Sequence, residues 1–156
     1  MKTYFDTSLL LATYLPEPRT DEALEILHST TAPVPFSHLL ELELRTAIRV
    51  KHGRGDVSAG TMRGALHALE SDFAKGLLAR PDYDLEAVFH RAESVSAKHA
   101  AATLARSADL WHVAAAMEAG CAALASFDER QRKAAKLCGL KVIPASGPTP
   151  KTRKAK

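Results

Sequence analysis

Asp6, Glu43, Asp109 and Asp128 are the residues of this chain whose types and settings could do chemistry. Asp6 and Asp128 follow short apolar runs of strand character. Asp109 falls in the first turn of a helical segment, and Glu43 sits on an apolar helix stripe. A carboxylate avoids such a stripe unless it is paired or binds a cation. Four carboxylates with no Cys or His ligand set suit a hard divalent ion, Mg²⁺ or Mn²⁺. Such ions suit hydrolysis of a phosphodiester.

Each acid also has a plainer reading. Asp6, at the end of its strand, is a natural helix N-cap, and so is Asp128 after Ser126-Phe127. Asp109 is placed where the helix dipole favours an acid. Thr7 and Ser8 supply hydroxyls that could orient the Asp6 carboxylate or a metal-bound water. In Glu41-Leu42-Glu43 the two acids separate by helical geometry. At about 100° per residue, Leu39, Leu40, Leu44, Ala47 and Val50 define one face, and Glu43 lies near its middle. Glu41 points away and pairs with Arg45 on the surface. Glu43 therefore needs a partner: a buried Arg or Lys, or a metal within a carboxylate cluster. His112 lies one turn after Asp109 on the same side, either packed, at the surface, or in contact with the site or with RNA.

The elements that must position these residues can be traced along the chain. Residues 2–5 form a strand ending at Asp6, and Thr7 and Ser8 cap the helix of Leu9, Leu10 and Leu11. Pro16 and Pro18 stop it, and a second helix runs from Thr20 to His28. Pro33–Phe36 is a brief strand. Ser37 caps a long helix ending near Gly53, with a turn over Gly53–Asp56. A helix spans Ser58–Leu78, Pro81–Asp84 is a loop with room for a short strand, and a helix covers Leu85–Leu104. Ser107 caps a helix that closes at Gly120. Cys121–Ser126 reads as a buried strand. Phe127 opens a helix ending at Gly139, and Leu140–Pro144 is the last strand. This alternation implies an α/β fold, three-layer α/β/α around a short-stranded parallel sheet. Such sheets hold ligands beyond the carboxyl ends of their strands, where Asp6 and Asp128 fall.

The 156 residues, 46% of them apolar, suit one domain, assigned to residues 1–145. No apolar run approaches the roughly 20 residues of a membrane span, and the opening has no export signal, so the expected location is cytoplasmic. The two cysteines, Cys121 and Cys138, have no metal-type spacing and read as reduced thiols. The net charge of +3 is uneven. Residues 146–156 form a basic, Pro-containing tail with Lys151, Arg153, Lys154 and Lys156, leaving 17 basic against 18 acidic residues elsewhere. The tail reads as disordered, either as a solubilising end or as an attractor of nucleic acid.

These blocks closely resemble the PIN-domain ribonucleases of the VapC toxin type. Tyr-Phe-Asp-Thr-Ser around Asp6 resembles the first acidic motif of that family. Ser37 through Glu43, continuing Leu-Arg-Thr-Ala-Ile-Arg, resembles the second. Arg106-Ser-Ala-Asp109-Leu-Trp-His-Val resembles the third, and Ala125-Ser-Phe-Asp128-Glu-Arg-Gln the fourth. The resemblance spans about residues 2–144. It implies a metal-dependent endoribonuclease with Asp6, Glu43, Asp109 and Asp128 holding one or two Mg²⁺ (or Mn²⁺) ions, cutting RNA to leave a 5′-phosphate and a 3′-hydroxyl. Ser126 keeps a hydroxyl near the metal, and Arg106 is placed to meet phosphate. It further implies a cognate antitoxin protein, docked in a groove near the site, and a homodimer; apolar candidates for such a groove lie around Leu9–Leu15 and in residues 58–78. The rival within the same fold is a catalytically inactive RNA-binding or scaffold domain. A phosphatase with an Asp nucleophile would want a second Asp where Ser8 stands, and no phosphate-binding glycine loop exists.

Overall fold

The computed structural model describes residues 1–30 and 33–146. The chain runs β1 (Thr3–Phe5), α1 (Thr7–Tyr14), α2 (Thr20–His28), β2 (Val34–Pro35), α3 (His38–Gly53), α4 (Ala59–Ala74), β3 (Leu78–Ala79), α5 (Leu85–Thr103), α6 (Ser107–Glu118), β4 (Ala123–Ala125), α7 (Glu129–Leu137) and β5 (Lys141–Ile143). All strand pairs are parallel: β1 with β4, β4 with β5, and β2 with β3. The two ladders are separate, but β2 packs beside β1, giving the order β3-β2-β1-β4-β5. The helices fall into two packed groups, α1–α4 and α5–α7. The architecture is α/β/α in three layers.

The strand order matters for the site. After β1 the chain steps to one side of the sheet, through β2 and β3; after β4 it steps to the other, to β5. The switch falls between β1 and β4, where parallel sheets open a crevice at the carboxyl ends of their strands. Strand β4 lies between two neighbours, which is why Ala123, Leu124 and Ala125 are all apolar and fully buried. Register pairs Phe5 with Ala125 and Ala125 with Ile143. The ladder then continues by one residue: Asp6 N–H donates to Ala125 O, and Ser126 N–H to Ile143 O, both at 3.0 Å. Asp6 and Ser126 thus emerge side by side.

Most expected elements are present, with differences at their ends. Asp6 itself caps α1, accepting from Leu9 N–H at 2.9 Å, so Thr7 and Ser8 are free for other work. Arg106 rather than Ser107 is the N-cap residue of α6; its backbone N–H donates to the Asp109 carboxylate. Helix α4 stops at Ala74, four residues short of the expected Leu78, because Gly76 turns the chain with φ +73°. The segment so released forms β3 earlier than Pro81–Asp84 and pairs with β2. The buried line of α3 is Leu40, Leu44 and Ile48, while Val50 is exposed. That places Glu43 on the border of the apolar face rather than near its middle. Among the described residues no helix is long and apolar enough to cross a membrane. The basic tail from Lys151 onward lies outside the described residues.

Helix α5 ends on Leu104, which is 68% exposed and left-handed at φ +56°. That conformation costs a non-glycine residue roughly 1–2 kcal/mol, and Asn adopts it more readily. Leu104→Asn is expected to raise the melting temperature by about 2–4 °C, for about 1 kcal/mol regained. Calorimetry of the two proteins checks this; an unchanged or lower value would mean that the leucine contributes packing there.

Candidate functional site

Asp6 is the most constrained acid of the four. It is 3% exposed, and both oxygens are engaged. Oδ1 accepts from Leu9 N–H at 2.9 Å and Ser8 Oγ at 2.8 Å; Oδ2 accepts from Ser126 Oγ at 2.6 Å. Ser126 Oγ also accepts from Asp128 N–H at 2.9 Å, so one hydroxyl ties the ends of β1 and β4 to the start of α7. Burial pushes the Asp6 carboxyl above the usual carboxylate range, against the pull of Ser126, Leu9 and Ser8. The sequence suggests that mutual repulsion within a carboxylate cluster would raise such a group. The structure assigns the shift to desolvation instead.

Glu43 reaches the site from α3 and finds neither Arg nor Lys. Its Oε2 accepts from Thr7 Oγ1 at 2.7 Å and from His112 Nε2 at 2.5 Å. His112 is buried on α6, and its Nδ1 faces the Tyr4 hydroxyl at 2.9 Å. An acceptor-only carboxylate requires the proton on Nε2. Desolvation tends to raise Glu43, but the His112 bond and charge with the Thr7 bond outweigh it, and the carboxyl lies below its ordinary range. His112 is thus a packed histidine that also holds Glu43. Glu41, as expected, pairs with Arg45 at 2.8 Å, and also with Arg80.

Asp109 and Asp128 complete the ring from α6 and α7. Asp109 Oδ2 accepts from Arg106 N–H at 2.8 Å. Asp128 Oδ1 accepts from Arg130 N–H and Gln131 N–H, both at 2.9 Å. All four acids line one open cavity of about 250 Å³, together with Thr7, Ser8, His112 and Gln131. The Arg106 side chain is exposed and does not line it.

Gln131 escaped the sequence reading. It stands three residues after the α7 cap, where a Gln usually reaches back to the cap N–H. Ser126 Oγ already occupies that N–H. Gln131 is therefore turned inward, 2% exposed, with a buried Oε1 that has no hydrogen-bond partner. The Asp-x-x-Gln spacing was the available signal, but only the Ser126 contact shows that the glutamine is left over.

The donor set fits a hard, hydrated cation. Among the described residues Glu43, Asp109 and Asp128 each spend one oxygen on protein donors and keep the other free. The orphaned Gln131 oxygen wants a donor, which a cation's water supplies. No three acidic, His or Cys side chains among the described residues converge on a single ion-sized point. A cation here would keep several waters, as Mg²⁺ commonly does.

A family model for the PIN domain matches residues 3–137. The chain belongs to the PIN domain family. The crystal structure of FitAcB from Neisseria gonorrhoeae is similar to it, with a TM-score of 0.63 and 19% identity over 90% of this chain and 95% of that one. At that identity the likeness concerns the fold alone, and it agrees with the three-layer reading. No curated protein sequence matches the chain. Within this PIN domain, the four expected acids meet at the switch point of the sheet. Of the accessory candidates, Thr7, Ser8, Ser126 and His112 each touch one of the acids through a side chain, and Arg106 does so only through its backbone.

The two inner acids should respond oppositely to neutralisation, measured in EDTA. Because the folded state raises the Asp6 pKa, ionised Asp6 costs stability above that pKa, and the cost disappears below the unfolded value of about 3.9. Asp6→Asn is expected to raise the melting temperature at pH 7, with the gain shrinking to nothing as pH falls below about 4. Glu43, lowered in the folded state, stabilises above its unfolded pKa of about 4.3 and loses this as pH falls through the folded value. Glu43→Gln is expected to lower the melting temperature at pH 7. Thermal denaturation from pH 3 to pH 8 reads both signs; a loss of stability in Asp6→Asn would rule out desolvation as the dominant effect.

Proposed function

We propose that this PIN domain is a metal-dependent endoribonuclease, hydrolysing RNA phosphodiester bonds as the toxin of a toxin–antitoxin pair. The nuclease reading rests on one observation above the others: four carboxylates from four separate elements line one cavity, three with an oxygen to spare. Asp6, Glu43, Asp109 and Asp128 would hold the Mg²⁺ or Mn²⁺. When bound, such an ion neutralises charge on the phosphate and makes a water more acidic.

The rest of the work belongs to the chain. Ser8, Ser126 and Leu9 N–H fix the orientation of Asp6. Thr7 and His112 hold Glu43 by one oxygen, and Tyr4 backs His112. Gln131 Oε1 can accept from a water or from a ribose hydroxyl. The open cavity admits a strand of RNA rather than enclosing a small molecule. The toxin reading draws on the resemblance of the four motifs and implies an antitoxin chain and a homodimer. Of the Leu9–Leu15 run, Leu9, Leu10, Ala12 and Leu15 are all buried in the core. Leu10 borders a cavity of about 440 Å³ with Tyr14, Leu24, Leu27 and Leu77, a surface suited to an apolar antitoxin segment.

The second reading is an RNA-binding or scaffold domain of the same fold without activity; it draws on the open cavity, which could take a strand without cutting it. The two separate in one experiment. The purified protein, free of partner, is incubated with total bacterial RNA in Mg²⁺, Mn²⁺ or EDTA. Discrete fragments that require metal are expected. Asp6→Asn should reduce the rate by more than about 100-fold, beyond the loss typical of an orienting residue. Ser126→Ala should cost about 10–100-fold, as a partner of a ligand does, and Gln131→Leu should also lower the rate, because it removes an unpaired oxygen from the same cavity. Intact RNA in every lane, from folded protein, would select the inactive reading.

A further inference from the structure

A separate cavity, of about 250 Å³, draws residues from α3 and α6, two of the helices that carry the carboxylate site. Its sides are Trp111, Tyr83, His38, Leu39, Leu85 and Arg80, with Ser37 at its inner end. Leu39 is one turn before Glu43 on α3, and Trp111 directly precedes His112 on α6. A short path joins the two sites. The Ser37 hydroxyl lies beside both the Tyr83 and the Tyr4 hydroxyls. Tyr4 meets His112, and His112 meets Glu43.

Three features point to the ligand. First, Trp111 is only half-buried, so part of a large aromatic surface is presented rather than consumed by the core. Second, the Tyr83 hydroxyl oxygen is buried without a partner; Ser37 is near, but no well-formed bond joins them. Such a group is expensive to bury and is matched by a ligand that brings a donor or acceptor. Third, the Arg80 wall is held rigidly. Its guanidinium lies 4.8 Å from the Phe73 ring centroid, donates to Phe36 O at 2.8 Å and pairs with Glu41. Its charge is already answered, so this cavity is not built to grip a phosphate. A flat ring with polar edges fits all three features, and recognition of single-stranded RNA uses aromatic and guanidinium planes with hydrogen bonds to base edges.

We propose that this cavity binds one unstacked nucleobase of the RNA strand, with Trp111 as the stacking surface and the Tyr83 hydroxyl and His38 reading the base edge. The inference deepens the nuclease reading and rests on it. It makes these residues the determinants of which base lies beside the cleaved bond.

Trp111 is the only tryptophan of the chain; it also borders a cavity of about 210 Å³ with Phe89 and Leu110, so the Tyr83 and His38 variants below assign any fluorescence change to the proposed pocket. The full chain in Mg²⁺ is titrated with the four nucleoside 5′-monophosphates, and with ribose 5-phosphate as a ligand lacking the base. Excitation on the red edge of the indole band avoids absorption by the bases. A saturable change with at least one nucleotide, and none with ribose 5-phosphate, is expected. Tyr83→Phe and His38→Ala should weaken the response about 10-fold or change which base is preferred. Tyr83→Phe removes a buried orphan and His38 is exposed, so both variants should fold. No saturable change with any nucleotide, an equal response to ribose 5-phosphate, or wild-type behaviour in both variants would overturn the proposal. Cleavage of total RNA is sequenced alongside. Cutting by both variants at unchanged bases sinks the base pocket and spares the nuclease reading. If the wild type cuts nothing, the nuclease reading fails, and the titration alone decides whether the cavity takes a base.

Discussion

A carboxylate that must stay buried organises this molecule. Asp6 caps the first helix, and so it cannot turn away to solvent without releasing Leu9 N–H. The parallel register of β1 and β4 then delivers Ser126 against it, and Ser8 closes the other side. The remaining pieces attach to this knot. Ser126 Oγ takes the Asp128 N–H, which aligns α7; Arg132 on α7 donates to Ser126 O at 2.9 Å and to Pro144 O at 2.8 Å, which ties down the segment after β5. One buried acid therefore sets the relation of two strands and two helices, while desolvation leaves it eager for a proton or a cation.

The second acid is managed differently. Glu43 stands on the border of the apolar face of α3, where it can reach inward without displacing Leu40, Leu44 or Ile48. His112 and Thr7 share one of its oxygens, and Tyr4 supports His112 from the core side. The histidine and Asp109 come from the same helix, so α6 provides both an acid and the brace for another. Elements from both helix groups meet at the switch point, each bringing one carboxylate, and none has to bury more than one charge.

Much of this was legible in the residues. The strand–acid pattern at Tyr-Phe-Asp and the small apolar run before Ser126 led to the observed placement; helical spacing separated Glu41 from Glu43 but put Glu43 nearer the middle of the apolar face than its border position. The errors cluster where two local signals compete. Thr7 and Ser8 looked like caps because hydroxyls commonly cap, yet the preceding Asp6 accepts more strongly and takes the position. Apolar residues continue past Ala74 and favour carrying the fourth helix to Leu78; the left-handed turn at Gly76 decides otherwise, and pairing with β2 rewards the extended form of Leu78–Ala79.

By itself the sequence determined most element types and the family, and singled out the four acids as candidates, because these depend on local propensity, spacing and motif. Pairing depends on three-dimensional register, and there the tertiary structure decided. It made His112 the partner of Glu43, although 69 residues separate them. It gave Asp6 its affinity for protons through burial, a property of surroundings that no spacing encodes. It left Gln131 unpaired in the cavity because Ser126, from another element, had taken the contact it would otherwise make. And it set Trp111 and Tyr83, from distant segments, around one cavity.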